Sequence, residues 1–102
     1  MFIAMVKGNV VTTQKVAKMA ARKLLIVEPL RVSEGEKDFI PTGRTFVAVD
    51  HIDAGVGDIV LVTQGSSARM TEHTSDAPVD CVVTGIIDSI TVAGKPFYRK
   101  HA

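Results

Sequence analysis

Short apolar stretches recur along the chain between polar or glycine-containing breaks, at the spacing of a small β-barrel or sandwich. The first covers residues 2–6. It resumes after Gly8 as Val10-Val11-Thr12-Thr13, so a bulge or sharp bend is expected at the glycine. The second, Lys23-Leu24-Leu25-Ile26-Val27, is expected to stop at Glu28-Pro29. Thr45-Phe46-Val47-Ala48-Val49 and Asp58-Ile59-Val60-Leu61-Val62-Thr63 form the third and fourth. The fifth and longest spans residues 80–92, with Gly85 where a strand would bend. Pro96-Phe97-Tyr98-Arg99 follows the turn Ala93-Gly94-Lys95. Helix is confined to two short stretches. In residues 14–22, Val16, Met19 and Ala20 share one face. A further turn is capped by Ser66 or Ser67 and runs through Ala68-Arg69-Met70. Residues 33–44, polar and containing Gly35, Pro41 and Gly43, read as an exposed loop.

Composition strengthens the β assignment. Val and Ile together number 23 against 4 Leu, and branching at Cβ suits a side chain to a pleated strand. The 102 residues make one domain, residues 1–102, large enough for a core without cross-links. Two strands break the expected alternation: residues 24–27 and 59–62 are apolar at every position. Their second face needs cover, either from the two helical stretches or from a neighbouring subunit. The helices are short, which favours the neighbour and hence an obligate oligomer.

Charge and cysteine content narrow the function. Twelve Lys and Arg against eleven Asp and Glu leave a net charge of +1, unlike the concentrated positive charge of a nucleic-acid binder. Phe2, Phe39, Phe46, Phe97 and Tyr98 are too scattered for a base-stacking platform. Cys81, the sole cysteine, excludes an intrachain disulfide and a cysteine-rich zinc site; it reads as a small buried hydrophobe in a reducing, cytoplasmic setting. No apolar run approaches the ~20 residues of a membrane span, and the opening residues lack the pattern of a secretory leader.

No catalytic or cofactor motif is met. Gly65-Ser66-Ser67-Ala68-Arg69 lacks the G-x-S-x-G elbow of a nucleophilic serine and reads as a tight turn feeding a short helix, whose exposed amides attract anions. His51, His73 and His101 have no metal-ligand spacing, so neither metal nor cofactor is expected. Gly55-Val56-Gly57 has no third glycine opening a helix and serves as a turn instead of a dinucleotide fingerprint.

Several blocks, in order, resemble the EutN/CcmL family of bacterial microcompartment vertex proteins. They are Gly8-Asn9-Val10-Val11-Thr12-Thr13-Gln14-Lys15 and Lys23-Leu24-Leu25-Ile26-Val27-Glu28-Pro29-Leu30. Val47-Ala48-Val49-Asp50 follows, then the stretch from Ala54 to Asp58 and Val60-Leu61-Val62 leading into Gly65-Ser66-Ser67-Ala68-Arg69. Pro78-Val79-Asp80 and Gly85-Ile86-Ile87-Asp88 complete the set. Two connections depart from the family pattern: residues 16–22 lack a glycine common ahead of the second strand, and the 33–44 loop is longer and more polar.

The resemblance implies a mainly β fold: a small, OB-like five-stranded barrel with one or two short helices, assembled as a cyclic homopentamer. It further implies a structural, non-catalytic role in the microcompartment shell of the cytoplasm. There the pentamer caps vertices among hexameric shell proteins, with no nucleic-acid or membrane partner. Gly65, Ser66 and Ser67 are then the candidates to line the five-fold axis, where small residues and repeated donors suit water or an anion. Asp50 and Arg69 are the candidates for a subunit contact, with an ion pair inside one subunit as the equal alternative. An OB-like nucleic-acid-binding module is the alternative function, and a small hydrolase using Ser66 or Ser67 with a histidine is a third.

Overall fold

The computed structural model describes residues 1–12, 23–65 and 80–100; both predicted helical stretches, residues 14–22 and 66–70, lie outside these. Among the described residues eight strands are formed: β1 (Phe2–Val10), β2 (Lys23–Val32), β3 (Phe39–Pro41), β4 (Phe46–Asp50), β5 (Ile59–Gln64), β6 (Cys81–Ile86), β7 (Ser89–Val92) and β8 (Lys95–Arg99). No α-helix occurs among the described residues.

Five strands close on themselves. The sheet runs β1-β5-β6-β4-β2, and β2 pairs back with β1, which removes every free edge from the barrel wall. All neighbours are antiparallel except β4 and β6, which are parallel through Val49 and Val82. The stagger is large. Tracing paired positions once round from Met5, through Ile59, β6, β4 and β2, returns to β1 well past Val10. That steep shear gives a five-stranded barrel an interior just wide enough for side chains.

The inward positions alternate along each strand, as period-two geometry requires. Ala4, Val6, Leu25, Val27, Ala48, Val60, Val62, Cys81 and Val83 fill the interior, each 5% exposed or less. Branched and small residues dominate because the narrow bore admits nothing larger without strain. Cys81 behaves as the small buried hydrophobe expected of it.

Several elements depart from the sequence reading. β2 does not stop at Pro29 but continues to Val32. Proline is tolerated because the ladder to β4 ends at Val27 and Phe46, while the Pro29 carbonyl takes the Thr42 N–H at 3.2 Å and the Thr42 hydroxyl at 2.8 Å. The 33–44 loop holds β3, whose Phe39, Ile40 and Pro41 pair with Val32, Arg31 and Leu30 to prolong the β2–β4 hairpin beyond the barrel. The long fifth run splits in two. β6 stops at Ile86, Ile87 donates to the Ile59 carbonyl at 2.8 Å, and β7 begins a separate hairpin with β8.

Other expectations hold. The register of β1 on β2 slips between Val6 and Gly8, which places the bulge at Lys7. Beside Gly85, the β5–β6 register slips between Leu61 and Val62. The β7–β8 turn has Ala93 at φ +51° and Gly94 at φ +76°, the paired positive values of a two-residue hairpin loop.

Candidate functional site

Three regions of the barrel carry more than packing: the loop between β4 and β5, the outer wall, and the end where residues 66–79 join.

The β4–β5 loop closes one end. Asp50, the last residue of β4, is 2% exposed, and its carboxylate accepts the Ile52 N–H at 3.0 Å and the Ala54 N–H at 2.8 Å. These bonds fold the chain back so that Ala54, fully buried, plugs the barrel interior. Lys23, the register partner of Asp50, braces the loop from β2. Its Nζ donates to Asp53 Oδ1 and to the Ala54 carbonyl, both at 3.0 Å, and lies 3.6 Å from Asp50 Oδ2. The hydrogen bond to Asp53 raises the Lys23 pKa above the ordinary lysine value; partial desolvation opposes it and the Asp50 charge reinforces it.

Beyond Ala54 the loop is tied again. Asp58 Oδ2 accepts the Gly55 N–H at 2.8 Å, and the Gly57 N–H reaches the Val6 carbonyl at 2.8 Å. Positive φ falls at Asp53 (+63°) and Gly57 (+92°), not at both glycines of the Gly55-Val56-Gly57 motif. Lys100 Nζ lies 3.7 Å from Asp58 Oδ1, which secures the C-terminal hairpin to the same loop. The loop is therefore rigid scaffolding, fixed by charges whose partners lie in their own chain.

The outer wall has two characters. On β5 and β6 it is partly polar: Thr63 and Thr84 pair hydroxyl to hydroxyl at 3.4 Å. On β4, β2 and β1 it is apolar, with Val47, Val49, Ile26, Leu24, Val10 and Gly8 at outward positions; Val49 is 2% exposed and the β2 and β1 residues are half-buried. Val47 is 52% exposed in mid-strand. Sequence reasoning anticipated this second apolar face for residues 24–27. For residues 59–62 the chain itself supplies much of the cover: Ile59 is only 2% exposed.

Gly65 sits at the opposite end of the barrel from Asp50, because β5 and β4 reach those residues in opposing directions around the closed sheet. It is exposed at φ +72°, nothing lies within 4 Å of where a Cβ would be, and its N–H meets the Asp80 carbonyl at 2.8 Å. That bond holds together the two ends of the 66–79 connection. Ser66, Ser67 and Arg69 lie outside the described residues.

The aromatic side chains pack on one another. Phe39 meets Phe97 edge-on at 4.8 Å and Tyr98 at 5.9 Å, clasping the β7–β8 hairpin to β3. Phe2 and Phe46 pair at 5.6 Å, with the Arg44 guanidinium over Phe46. Among the described residues no group of three or more His, Cys, Asp or Glu could hold a metal ion.

A closed, steeply sheared barrel with a braced end-loop and an apolar outer flank on β4, β2 and β1 is a small OB-like barrel. Comparison with known proteins agrees. The family model for "Ethanolamine utilisation protein EutN/carboxysome" matches residues 1–88, and the chain belongs to this EutN/CcmL family. It is 39% identical over 100 residues to the bacterial microcompartment shell vertex protein EutN of Salmonella typhimurium, covering 98% of this chain and 96% of that one. It is 40% identical over 101 residues to the carboxysome shell vertex protein CcmL of Synechocystis, covering 99% and 96%. Among solved structures, Gloeobacter violaceus CcmL superposes with a TM-score of 0.88 at 36% identity, with both chains fully covered. The pentameric microcompartment shell protein GrpN of Rhodospirillum rubrum gives 0.74 at 39% identity, covering 91% of this chain and 99% of that one.

Proposed function

We propose that the chain is a structural shell protein that closes into a cyclic homopentamer and caps the vertices of a bacterial microcompartment in the cytoplasm. A flat hexagonal lattice cannot enclose a volume, and a five-fold unit set among hexameric shell proteins supplies the missing curvature. The work is geometric and needs no catalytic group. The observation that carries this reading is the whole-length likeness to proteins named as shell vertex proteins, one of them solved as a pentamer. The apolar flank supports it from physics alone, since a barrel needs only one apolar side, its inside.

In this reading Gly65, Ser66 and Ser67 surround the five-fold axis. Support comes from the exposure of Gly65 and the open space around its Cα. Small residues let five chains approach there, and their amides and hydroxyls favour water or an anion over an apolar solute. Asp50 contributes to the subunit interface by fixing the 50–58 loop, its carboxylate being engaged within its own chain, and Arg69 contributes a cation. The nucleic-acid alternative gains no support from the aromatic residues, which are used for packing.

The test is the mass of the purified protein in solution, followed by co-expression with hexameric shell proteins. A species of five protomers that converts open sheets or tubes into closed shells is expected. A stable monomer at high concentration refutes the proposal.

A further inference from the structure

We propose that Gly65 is a positioning residue for the turn that leaves β5, and that glycine stands there for its left-handed backbone, not for the room it leaves. The inference rests on the reading above, in which this turn surrounds the five-fold axis. It separates two demands which that reading makes on a single residue.

β5 and β6 stay in register to their last pair, Gln64 opposite Cys81, and Cys81 is anchored in the barrel core at 5% exposure. One step further, the Gly65 N–H donates to the Asp80 carbonyl at 2.8 Å. An antiparallel strand continues only where φ stays near its extended value of about −140°. Gly65 instead takes φ +72°, which ends β5 at Gln64 while its N–H still closes the pair with Asp80. The backbone of this one residue therefore fixes both where the chain leaves the sheet and the direction in which it leaves.

The single chain makes no demand for a missing side chain. A Cβ at Gly65 would meet nothing within 4 Å, and the residue is exposed. The obstacle to an L-residue is its own backbone, because the left-handed conformation brings Cβ close to the following carbonyl oxygen. Branching at Cβ makes that conformation worse, whereas Asn and Asp accept it. The chain follows this rule elsewhere. Asp53 sits at φ +63° and Ala93 at φ +51°, and no Val or Ile among the described residues has a positive φ. Asparagine thus suits the Gly65 turn and valine does not, although the two fill the open space to a similar extent.

The experiment compares the wild-type chain, Gly65→Asn, Gly65→Val and Gly65→Ala at matched protomer concentration. Native mass spectrometry reads the assembly midpoint, amide hydrogen exchange reads the N–H of residue 65, and circular dichroism checks the barrel. Gly65→Asn is expected to keep the protected amide and to assemble as the wild type does. Gly65→Val is expected to fold, to lose protection at that amide on the order of 10-fold or more, and to assemble only at higher concentration. A general loss of stability would lower protection throughout the barrel, so a loss confined to residue 65 and its neighbours marks positioning. Gly65→Ala keeps the comparison open should the valine variant not fold: alanine is smaller than asparagine but tolerates the left-handed region less well, and it should assemble less readily. Better assembly of Gly65→Ala than of Gly65→Asn, or equal failure of Gly65→Asn and Gly65→Val, overturns the proposal and leaves the pentamer standing, with the glycine serving close approach of chains. Wild-type behaviour of Gly65→Val overturns it as well. A monomeric wild type overturns the pentamer alone, and exchange at residue 65 then decides the proposal: equal protection in Gly65→Asn and Gly65→Val refutes it.

Discussion

Replacement of Asp50 tests how the barrel end is held shut. The carboxylate is 2% exposed and accepts two backbone N–H groups, of which Ala54's is buried and cannot turn to water. A hydrogen bond to a charged acceptor is worth about 1.5–3 kcal/mol, and a buried donor left unpaired bears its full desolvation cost. Ile52 N–H is only part-buried and recovers a water. Asp50→Ala is therefore expected to destabilise the protein by about 3 kcal/mol, most of it from Ala54. Lys23 contributes little to this sum, because its ammonium is in contact with solvent and keeps the Asp53 and Ala54 partners when Asp50 is lost. Asp50→Asn should fall near Asp50→Ala, since a carboxamide has one accepting oxygen for two donors and its NH2 would face an N–H. Lys23→Met should cost much less than either. Chemical denaturation at one fixed protomer concentration measures the three, because assembly couples to apparent stability. Amide hydrogen exchange should show Ala54 losing protection first in Asp50→Ala. A Lys23→Met cost equal to that of Asp50→Ala would show that the ion pair, not the backbone cap, holds the loop.

Two further outcomes follow from the same geometry. Lys23 and Cys81 both have pKa values raised in the folded chain, Lys23 by its bond to Asp53 and Cys81 by burial and then by the Asp80 charge. Folded protein thus holds these protons more tightly than the unfolded chain, so their contribution is complete below the ordinary values, 9.0 for the thiol and 10.5 for the amine, and is lost as pH climbs above these through the raised folded-state values. Thermal melts should be flat across neutrality and fall on the alkaline side, with Cys81→Ala removing the earlier part of the decline; a melt unchanged to pH 11 contradicts both assignments. Phe39→Ala removes the aromatic contacts that clasp β7 and β8 to β3, and residues 89–99 should exchange their amides faster while the barrel amides keep their protection. Uniform loss of protection across both regions would show that the hairpin is integral to the barrel.

Much of the architecture is local information and was legible in the chain. Period-two burial, Val and Ile in place of Leu, the slip at Gly8 and the Ala93-Gly94 turn each depend on residues a few positions apart. Family likeness was legible for the same reason, as short blocks in order. The Asp50 cap also left a local trace: an aspartate ahead of a short glycine-containing stretch is a common loop organiser, accepting backbone N–H groups just downstream. Reading Asp50 as a contact with Arg69 passed over that signal.

What tertiary structure alone decided concerns partners distant in sequence. Lys23 meets Asp50 and Asp53 only because β2 and β4 lie in one register, and Ala54 is core only because that register brings its loop over the barrel mouth. β2 passes through Pro29 because the proline N faces the Thr42 side, beyond the end of the β4 ladder, while Ala4 of β1 pairs from the other edge. The two all-apolar strands looked alike in sequence and differ in degree: Ile59 is covered by its own chain, whereas Ile26 is half-buried and its register partner Val47 stays 52% exposed. Hydrophobicity sets how much surface must leave water; only the closed arrangement of strands determines which of it the single chain can hide.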